Sequence, residues 1–407
     1  MFGLKKVKKT KSKQLNIGEY KSVHEYTEIL LVNDHIDIVS DACAECYQVN
    51  TKEKSYEERE EYIKRRIATG HESILEHSNI VMLIHLNDNK MEKLLEVLPY
   101  FKYLNYRIKY TDDSIYLLVG GSIRGYKHIF RNIDDLNNPI LKFIKDGLYL
   151  STNSCYFTDF IEEGILLDKF LNEPNKINPI KGNNMDLINV DDINIMINKL
   201  KELKIYEENP NVHDNYLFNM NDLMDMCTVT IHWTKVSRII SQQLTRHRAA
   251  ITQKSQRYVN YSDTEFLSPD KFKPEKYDSD KEYTVSLKVP NKDSIEITGT
   301  LNEIGTGMLS IYTDLFEQGL FKEDARAYLP NNVETSLYMT YTLRQFIFVT
   351  HLRTEPAAQA EIRILFNEAR ELFNEVNSYS YNELLEFIEP RYNQSFKDND
   401  NELEEEI

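Results

Sequence analysis

Arg246-His247-Arg248-Ala249-Ala250-Ile251-Thr252-Gln253-Lys254-Ser255-Gln256-Arg257-Tyr258 is the stretch on which the reading of this chain turns. Ahead of it, Val236, Ile239, Ile240, Leu244 and His247 recur at helical spacing behind Thr234, which predicts an amphipathic helix over 235–247 that closes on the cationic triplet. A helix macrodipole favours cations in its last turn by roughly 0.3–1 kcal/mol, so a solvated cap is the bland account of Arg246, His247 and Arg248. The density of anion-binding groups argues against it. Arg246, His247, Arg248 and Arg257 bracket Thr252, Gln253 and Ser255 with no Asp or Glu among them, on a chain of net charge −16. A guanidinium offers a planar fork matched to phosphate, and neighbouring hydroxyl and amide groups complete such a site. The stretch points to a nucleotide phosphate.

At 407 residues the chain can bury a sizeable core, in one large domain or two modest ones. It has no apolar run of about 18 residues, so no helical membrane span is expected. The basic segment Lys5 to Lys13 leads into no apolar stretch, so residues 1–20 read as a disordered basic tail rather than a secretory signal, and 391–407 as an acidic tail. Net charge −16 and a pI near 5.2 argue against general nucleic-acid binding, which rests on phosphate neutralisation, yet they allow a small anion in a local basic pocket. Cys43, Cys46, Cys155 and Cys227 are too few and scattered for a disulfide framework, which fits a reducing cytoplasm. Cys43-Ala44-Glu45-Cys46 has CxxC spacing but no second pair, so no metal is expected.

On the N-terminal side, Glu28 to Val32 reads as a strand, 35–47 as a helix and Glu57 to Ala68 as a charged helix. Gly70-His71-Glu72-Ser73-Ile74-Leu75-Glu76-His77-Ser78 follows and runs into an apolar strand, Ile80 to Leu86. Residues 88–222 read as an inserted α/β subdomain, with helices at Met91–Leu98, Ser122–Phe130 and Ile140–Leu150 and a strand at Ser114–Val119. Within it, Gly120-Gly121-Ser122-Ile123-Arg124-Gly125 lacks both the Walker lysine and the GxGxxG spacing, so it reads as a strand-to-helix turn. Residues 172–198 hold eight asparagines and are expected to loop out.

On the C-terminal side, Thr228 to His232 reads as a strand, 266–297 as a polar loop or hairpin, and Glu303 to Glu317 as a helix before Ala325-Arg326-Ala327-Tyr328-Leu329-Pro330. A helix from Glu334 to about Leu352 carries Thr342-Leu343-Arg344 and ends at Arg353. Thr354 is expected to cap a further helix reaching Val376, with Ala358-Gln359-Ala360-Glu361-Ile362-Arg363 on it.

Taken in this order, five elements (70–78, 236–262, 325–330, 342–353 and 358–363) resemble the flavin-dependent thymidylate synthases. The central one is similar to that family's Arg-His-Arg signature with its later Ser and Arg-Tyr, and 70–78 resembles its Gly-His-x-Ser/Thr-x-x-Glu-His element. The Ser122-Ile123-Arg124 turn is faintly similar to the family's Asn-Leu-Arg element, which Thr342-Leu343-Arg344 resembles more fully. The resemblance implies an α+β fold with a central antiparallel sheet flanked by helices, its core in 21–87 and 223–390, and a homotetramer. It implies reductive methylation of dUMP to dTMP, with FAD as cofactor and NADPH and 5,10-methylenetetrahydrofolate as co-substrates. Arg353 would polarise the uracil. Gln243, Arg246, Gln253, Ser255, Arg257 and Arg326 would hold dUMP, while His71, Ser73, Glu76, Arg246, His247, Arg248, Thr342 and Arg344 would meet FAD.

The chain departs from the family pattern in four places. Six residues separate Arg248 from Ser255, one fewer than in the family. Thr342 and Phe348 stand where the family has asparagines, and Ala357 where it has a histidine. Lost amide bonds cost about 0.5–1.5 kcal/mol each. Two other functions therefore stay open: an altered member that only binds nucleotide or flavin, or a flavin-dependent RNA methyltransferase.

Overall fold

The computed structural model of the chain describes residues 24–32, 35–151, 179–208 and 217–388. Both tails expected from the sequence, the first part of the asparagine-rich stretch and Cys155 lie outside the described residues.

The first half begins with β1 (Tyr26–Val32), α1 (His35–Tyr47) and α2 (Tyr56–Ala68). A capping box starts α2: Ser55 accepts from the Glu58 N–H, and the Glu58 carboxylate accepts from the Ser55 N–H. Gly70, at φ +89°, lets the chain turn left-handed after it. A short 3-10 turn (Glu72–His77) then feeds β2 (Ile80–Asn87), followed by α3 (Met91–Val97), β3 (Asn105–Tyr110), β4 (Ser114–Gly121), α4 (Ile123–Asn132) and α5 (Pro139–Ser151). The four strands form an antiparallel sheet in the order β1-β2-β4-β3. Alternate residues of β2 face opposite sides. Ile80, Met82, Ile84 and Leu86 pack with α1, α4 and α5, while Val81 and Leu83 enter the larger core shared with the second half.

The second half continues with β5 (Ile180–Lys181), β6 (Met185–Ile188), α6 (Asp192–Glu202), α7 (Met220–Leu223), β7 (Thr228–Ser237), α8 (Arg238–Leu244) and β8 (Ala250–Gln253). The hairpin β9 (Tyr283–Leu287) and β10 (Ile295–Gly299) stands apart as a two-stranded sheet before α9 (Leu301–Glu317) and α10 (Lys322–Ala325). Then come β11 (Glu334–Thr342), α11 (Leu343–Thr354), α12 (Ala360–Val376) and α13 (Tyr381–Glu386). The second sheet runs β5-β6-β7-β11-β8, and every pairing in it is antiparallel. The fold is α+β, with antiparallel sheets and helices. No helix among the described residues is long and apolar enough to cross a membrane.

Four sequence expectations change. The helix expected over 235–247 is shorter, because β7 continues to Ser237, with Val236 opposite Thr335 and Ser237 opposite Glu334. The helix expected from Glu334 is a strand as far as Thr342. Leu337, Met339 and Tyr341 enter the main core while Tyr338 packs on the other face, and a strand covered on both sides reads as a continuous apolar run that mimics a buried helix. Thr354 does not cap α12: its hydroxyl donates back to the Thr350 carbonyl at 2.9 Å and closes α11. The described part of the asparagine-rich stretch packs rather than loops out, with Ile193, Met196 and Ile197 of α6 buried. Residues 88–222 supply β3 and β4 to one sheet and β5 and β6 to the other.

Candidate active site

The junction between β7 and α8 places the cationic triplet. Ser237 accepts from the Ile240 N–H at 3.2 Å and so caps α8. The buried Glu361 carboxylate on α12 accepts from both the Ser237 N–H and its hydroxyl, each at 2.7 Å. After α8 ends, Arg246, His247 and Arg248 form the turn into β8, whose Ala250 to Gln253 pair with Thr340 to Leu337 of the central strand β11.

This turn meets the last turn of α11. Arg353 Nε donates to His247 Nε2 at 2.9 Å. Burial first, and the charge of Arg353 second, hold His247 down at about 4, so the ring is neutral at pH 7 and that nitrogen accepts. Burial also lowers the Arg353 pKa; Tyr341 opposes the shift, and the neighbouring charge of Arg246 adds to it. Close by, Gln243 Nε2 donates to Gln359 Oε1 at 2.7 Å. Among the described residues, no ion pair neutralises Arg246, Arg248 or Arg353, whereas Arg257 pairs with Glu323 at 3.1 Å and Arg344 with Asp225 at 2.8 Å.

Within one chain, the residues expected at dUMP divide into two groups at opposite ends of α8. Gln243 and Arg246 gather with Arg353 at its C-terminal end. Arg326 and Arg257 gather around Glu323, where Arg326 Nε donates to the Glu323 carbonyl at 3.0 Å and its charge reaches Arg238, the first residue of α8. Ser255 joins neither end through its side chain alone: its N–H donates to the Cys46 carbonyl at 3.2 Å and its hydroxyl accepts from the Arg257 N–H at 3.2 Å. Gln253 turns under α8, donating to Ser241 Oγ at 2.9 Å.

The expected flavin element is brought to the same region. His77, fully buried, bonds Thr340 Oγ1 through Nδ1 at 3.0 Å and Thr252 Oγ1 through Nε2 at 2.9 Å, which ties the 3-10 turn to β8 and β11. His71 Nε2 bonds the Tyr47 hydroxyl at 3.0 Å, and Tyr47 stacks on Tyr258 with ring centroids 5.1 Å apart. Ser73 is exposed, and Glu76 pairs with Arg124 at the start of α4. Glu72 accepts from Lys127 and Arg131 on the same helix; the Arg131 bond, against the cost of burial, leads in holding it at about 2.

Thr342 and Arg344 stand elsewhere. Thr342 caps α11, and Arg344 Nη2 donates to the Asn221 carbonyl at 2.6 Å in addition to its Asp225 pair. Arg353 lies nine residue steps along α11 from Arg344, about 14 Å along the axis. The sequence reading named neither Tyr47, Gln359 nor Arg124 as a site residue. Gln359 lies within the 358–363 element, and Arg124 within the strand-to-helix turn at 120–125.

Guanidinium groups without carboxylate partners among the described residues match phosphate, whereas in the 3-10 turn His77, Glu72 and Glu76 are engaged within the chain and Ser73 is exposed.

A family model described as "Thymidylate synthase complementing protein" matches residues 194–377. The chain is 28% identical over 191 residues to a protein of Paramecium bursaria Chlorella virus 1 named "Probable flavin-dependent thymidylate synthase", covering 44% of this chain and 87% of that one. It is 31% identical over 147 residues to the "Flavin-dependent thymidylate synthase" of Pyrococcus furiosus (36% and 54%), and 29% identical over 168 residues to that of Wolbachia pipientis wMel (40% and 57%). The chain thus spans about half the length of the archaeal and Wolbachia relatives.

Proposed function

We propose that this chain is a flavin-dependent thymidylate synthase that converts dUMP to dTMP, with FAD bound and with NADPH and 5,10-methylenetetrahydrofolate as co-substrates; its similarity to proteins of that name supports the reading. The observation that carries the reading is Arg353, a partly desolvated guanidinium held by a neutral His247 beside Arg246, with no carboxylate pairing among the described residues.

Adding carbon to C5 of uracil requires negative charge to develop on the ring. A preorganised cation aimed at that charge in a site poor in water is the kind of interaction that lowers such a barrier most. Arg353 is assigned this role. His247 accepts its Nε–H and fixes the fork, leaving the terminal nitrogens for the pyrimidine. Arg246 supplies charge to the phosphate, and the Gln243–Gln359 amide pair can orient the base. His71, Ser73, Glu76, His247 and Arg248 would hold FAD, which when bound supplies the redox chemistry.

The alternative chemical route to thymidylate, a cysteine adding to C6, needs an activated thiol. Burial pushes the Cys43, Cys46 and Cys227 thiols up instead, with Arg66 opposing only partly at Cys43 and Cys46, so none of the described cysteines is poised for it. The division of the dUMP residues between the two ends of α8 supports a site completed between copies of the chain, as in a homotetramer. Purified protein is expected to be yellow and to form dTMP from dUMP with NADPH and methylenetetrahydrofolate. Colourless protein that takes up no flavin excludes the reading.

A further inference from the structure

The two sheets repeat one topology. In the first half the strands run β1, β2, β3, β4 along the chain and lie in the order β1-β2-β4-β3; in the second, β6, β7, β8, β11 lie as β6-β7-β11-β8, antiparallel throughout in both. The connections match in part: α2 has no counterpart in the second half, and the tight turn between β3 and β4 is replaced there by the long segment of β9, β10, α9 and α10 between β8 and β11. A helix follows the first strand (α1, α6), a short helical turn precedes the second (Glu72–His77, α7), a helix links second to third (α3, α8), and two follow the fourth (α4 and α5, α11 and α12).

The match extends to single residues. Ile80 lies opposite Gly121, and Val229 opposite Tyr341. The next residue in each return strand caps the helix that follows: Ser122 accepts from the Gly125 N–H and Thr342 from the Gln345 N–H, both at 3.2 Å. One residue on, the Ile123 N–H donates to the Ser78 hydroxyl at 2.9 Å and the Leu343 N–H to the Cys227 carbonyl at 2.8 Å. The next residue is an arginine in both, and it pairs with an acid four residues before the aligned strand position: Arg124 with Glu76, Arg344 with Asp225.

The halves face each other reciprocally, and the two contacts have diverged. His77 in the turn of the first half bonds Thr252 of β8, in the strand that carries on from the Arg-His-Arg turn. Asp225, just after the equivalent turn of the second half, meets β3 of the first: its carbonyl accepts from Asn105 Nδ2 at 2.7 Å. There Arg107 pairs with Asp225 at 2.6 Å and Asp222 at 3.4 Å, Lys109 with Asp222 at 3.2 Å, and Arg344 with Asp225, so three cations close on two carboxylates. The first contact instead keeps guanidinium groups without ion pairs on one side and a half-exposed Glu76–Arg124 pair on the other. The family match, 194–377, covers mainly the second copy.

We propose that the chain is an internal duplication with one working flavin position, assembled from the 3-10 turn of the first repeat and the cationic turn of the second, in which Arg124 rather than Arg344 serves as the flavin-binding arginine. The second position is sealed by its ion pairs and is structural. This rests on the flavin reading above.

FAD titration of the full chain, followed by flavin fluorescence and by thermal melting, tests it. The wild type is expected to saturate at one FAD per chain. Arg124→Ala, or Arg124→Gln if the first variant folds poorly, is expected to weaken FAD at least tenfold with little change in Tm. Arg344→Lys is expected to lower Tm and to leave FAD affinity within about twofold. Two FAD per chain, or undiminished affinity in both Arg124 variants, overturns the assignment while leaving the family function standing. A wild type that takes up no FAD overturns both.

Discussion

Arg353 and His247 form a pair in which the histidine matters for what it lacks, a charge. Replacing Arg353 by Ala is expected to cut turnover by roughly 10²–10³-fold, as for other lost donors aimed at developing charge, while flavin uptake persists. Steady-state dTMP formation beside the flavin spectrum checks this; near-normal turnover removes Arg353 from the chemistry. His247→Gln keeps an acceptor for the Arg353 Nε–H and is expected to retain more activity than His247→Ala. A second neutral histidine controls stability. Burial holds His77 down at about 3, whereas an unfolded histidine titrates near 6.5. Between those values the unfolded chain binds the extra proton, so stability rises with pH and falls on acidification, by at most about 1.4 kcal/mol per pH unit. The window from about 6.5 to 4.5 lies above the titration of ordinary carboxylates. Urea unfolding at pH 7, 6 and 5 is expected to show a steeper acid loss in the wild type than in His77→Gln; equal slopes contradict the assignment.

At the scale of elements, the β7–α8 junction depends on one carboxylate from a distant helix. Glu361→Ala leaves the buried Ser237 N–H without its acceptor, which is expected to cost about 1–3 kcal/mol, with Glu361→Gln losing less. Urea unfolding measures the cost, and a change below about 0.5 kcal/mol rules out the role. This junction is also where the sequence misled. Val236 and Ser237 fit the helical spacing, but a neighbouring strand claimed them, and no local pattern records that neighbour. The motif residues were legible because their chemistry is local: an arginine triplet without acids on an acidic chain is visible in one dimension. What Arg344 does was not legible, since its partner Asp225 lies 119 residues earlier. The Ser-Ile-Arg turn at 122–124 was visible as a faint echo, and only the shared sheet order gives that echo meaning.

For the whole molecule, the duplication raises the question of whether the halves are two folding units. Their contacts argue for one. Val81, Leu83 and Leu118 of the first sheet share a core with Leu187, Ile231 and Met339 of the second. Polar ties cross the same seam: Asn79 Nδ2 donates to the Met226 carbonyl at 2.8 Å, Lys199 Nζ to the Ile29 carbonyl at 2.9 Å, and His77 bonds two strands of the other half. Neither half can open without exposing part of this core, so unfolding is expected to be one cooperative transition. Trp233 is the only tryptophan, fully buried against Phe366 in the second half, and its fluorescence reports that half alone. Far-ultraviolet circular dichroism reports both. The two urea curves are expected to share a midpoint, and Asn79→Ala, which strands a buried carbonyl, is expected to shift both together by about 1–3 kcal/mol. If the mutation moves the dichroism curve and leaves the Trp233 curve in place, the halves unfold separately, and the composite site must then be a contact between two autonomous domains rather than a feature of one core.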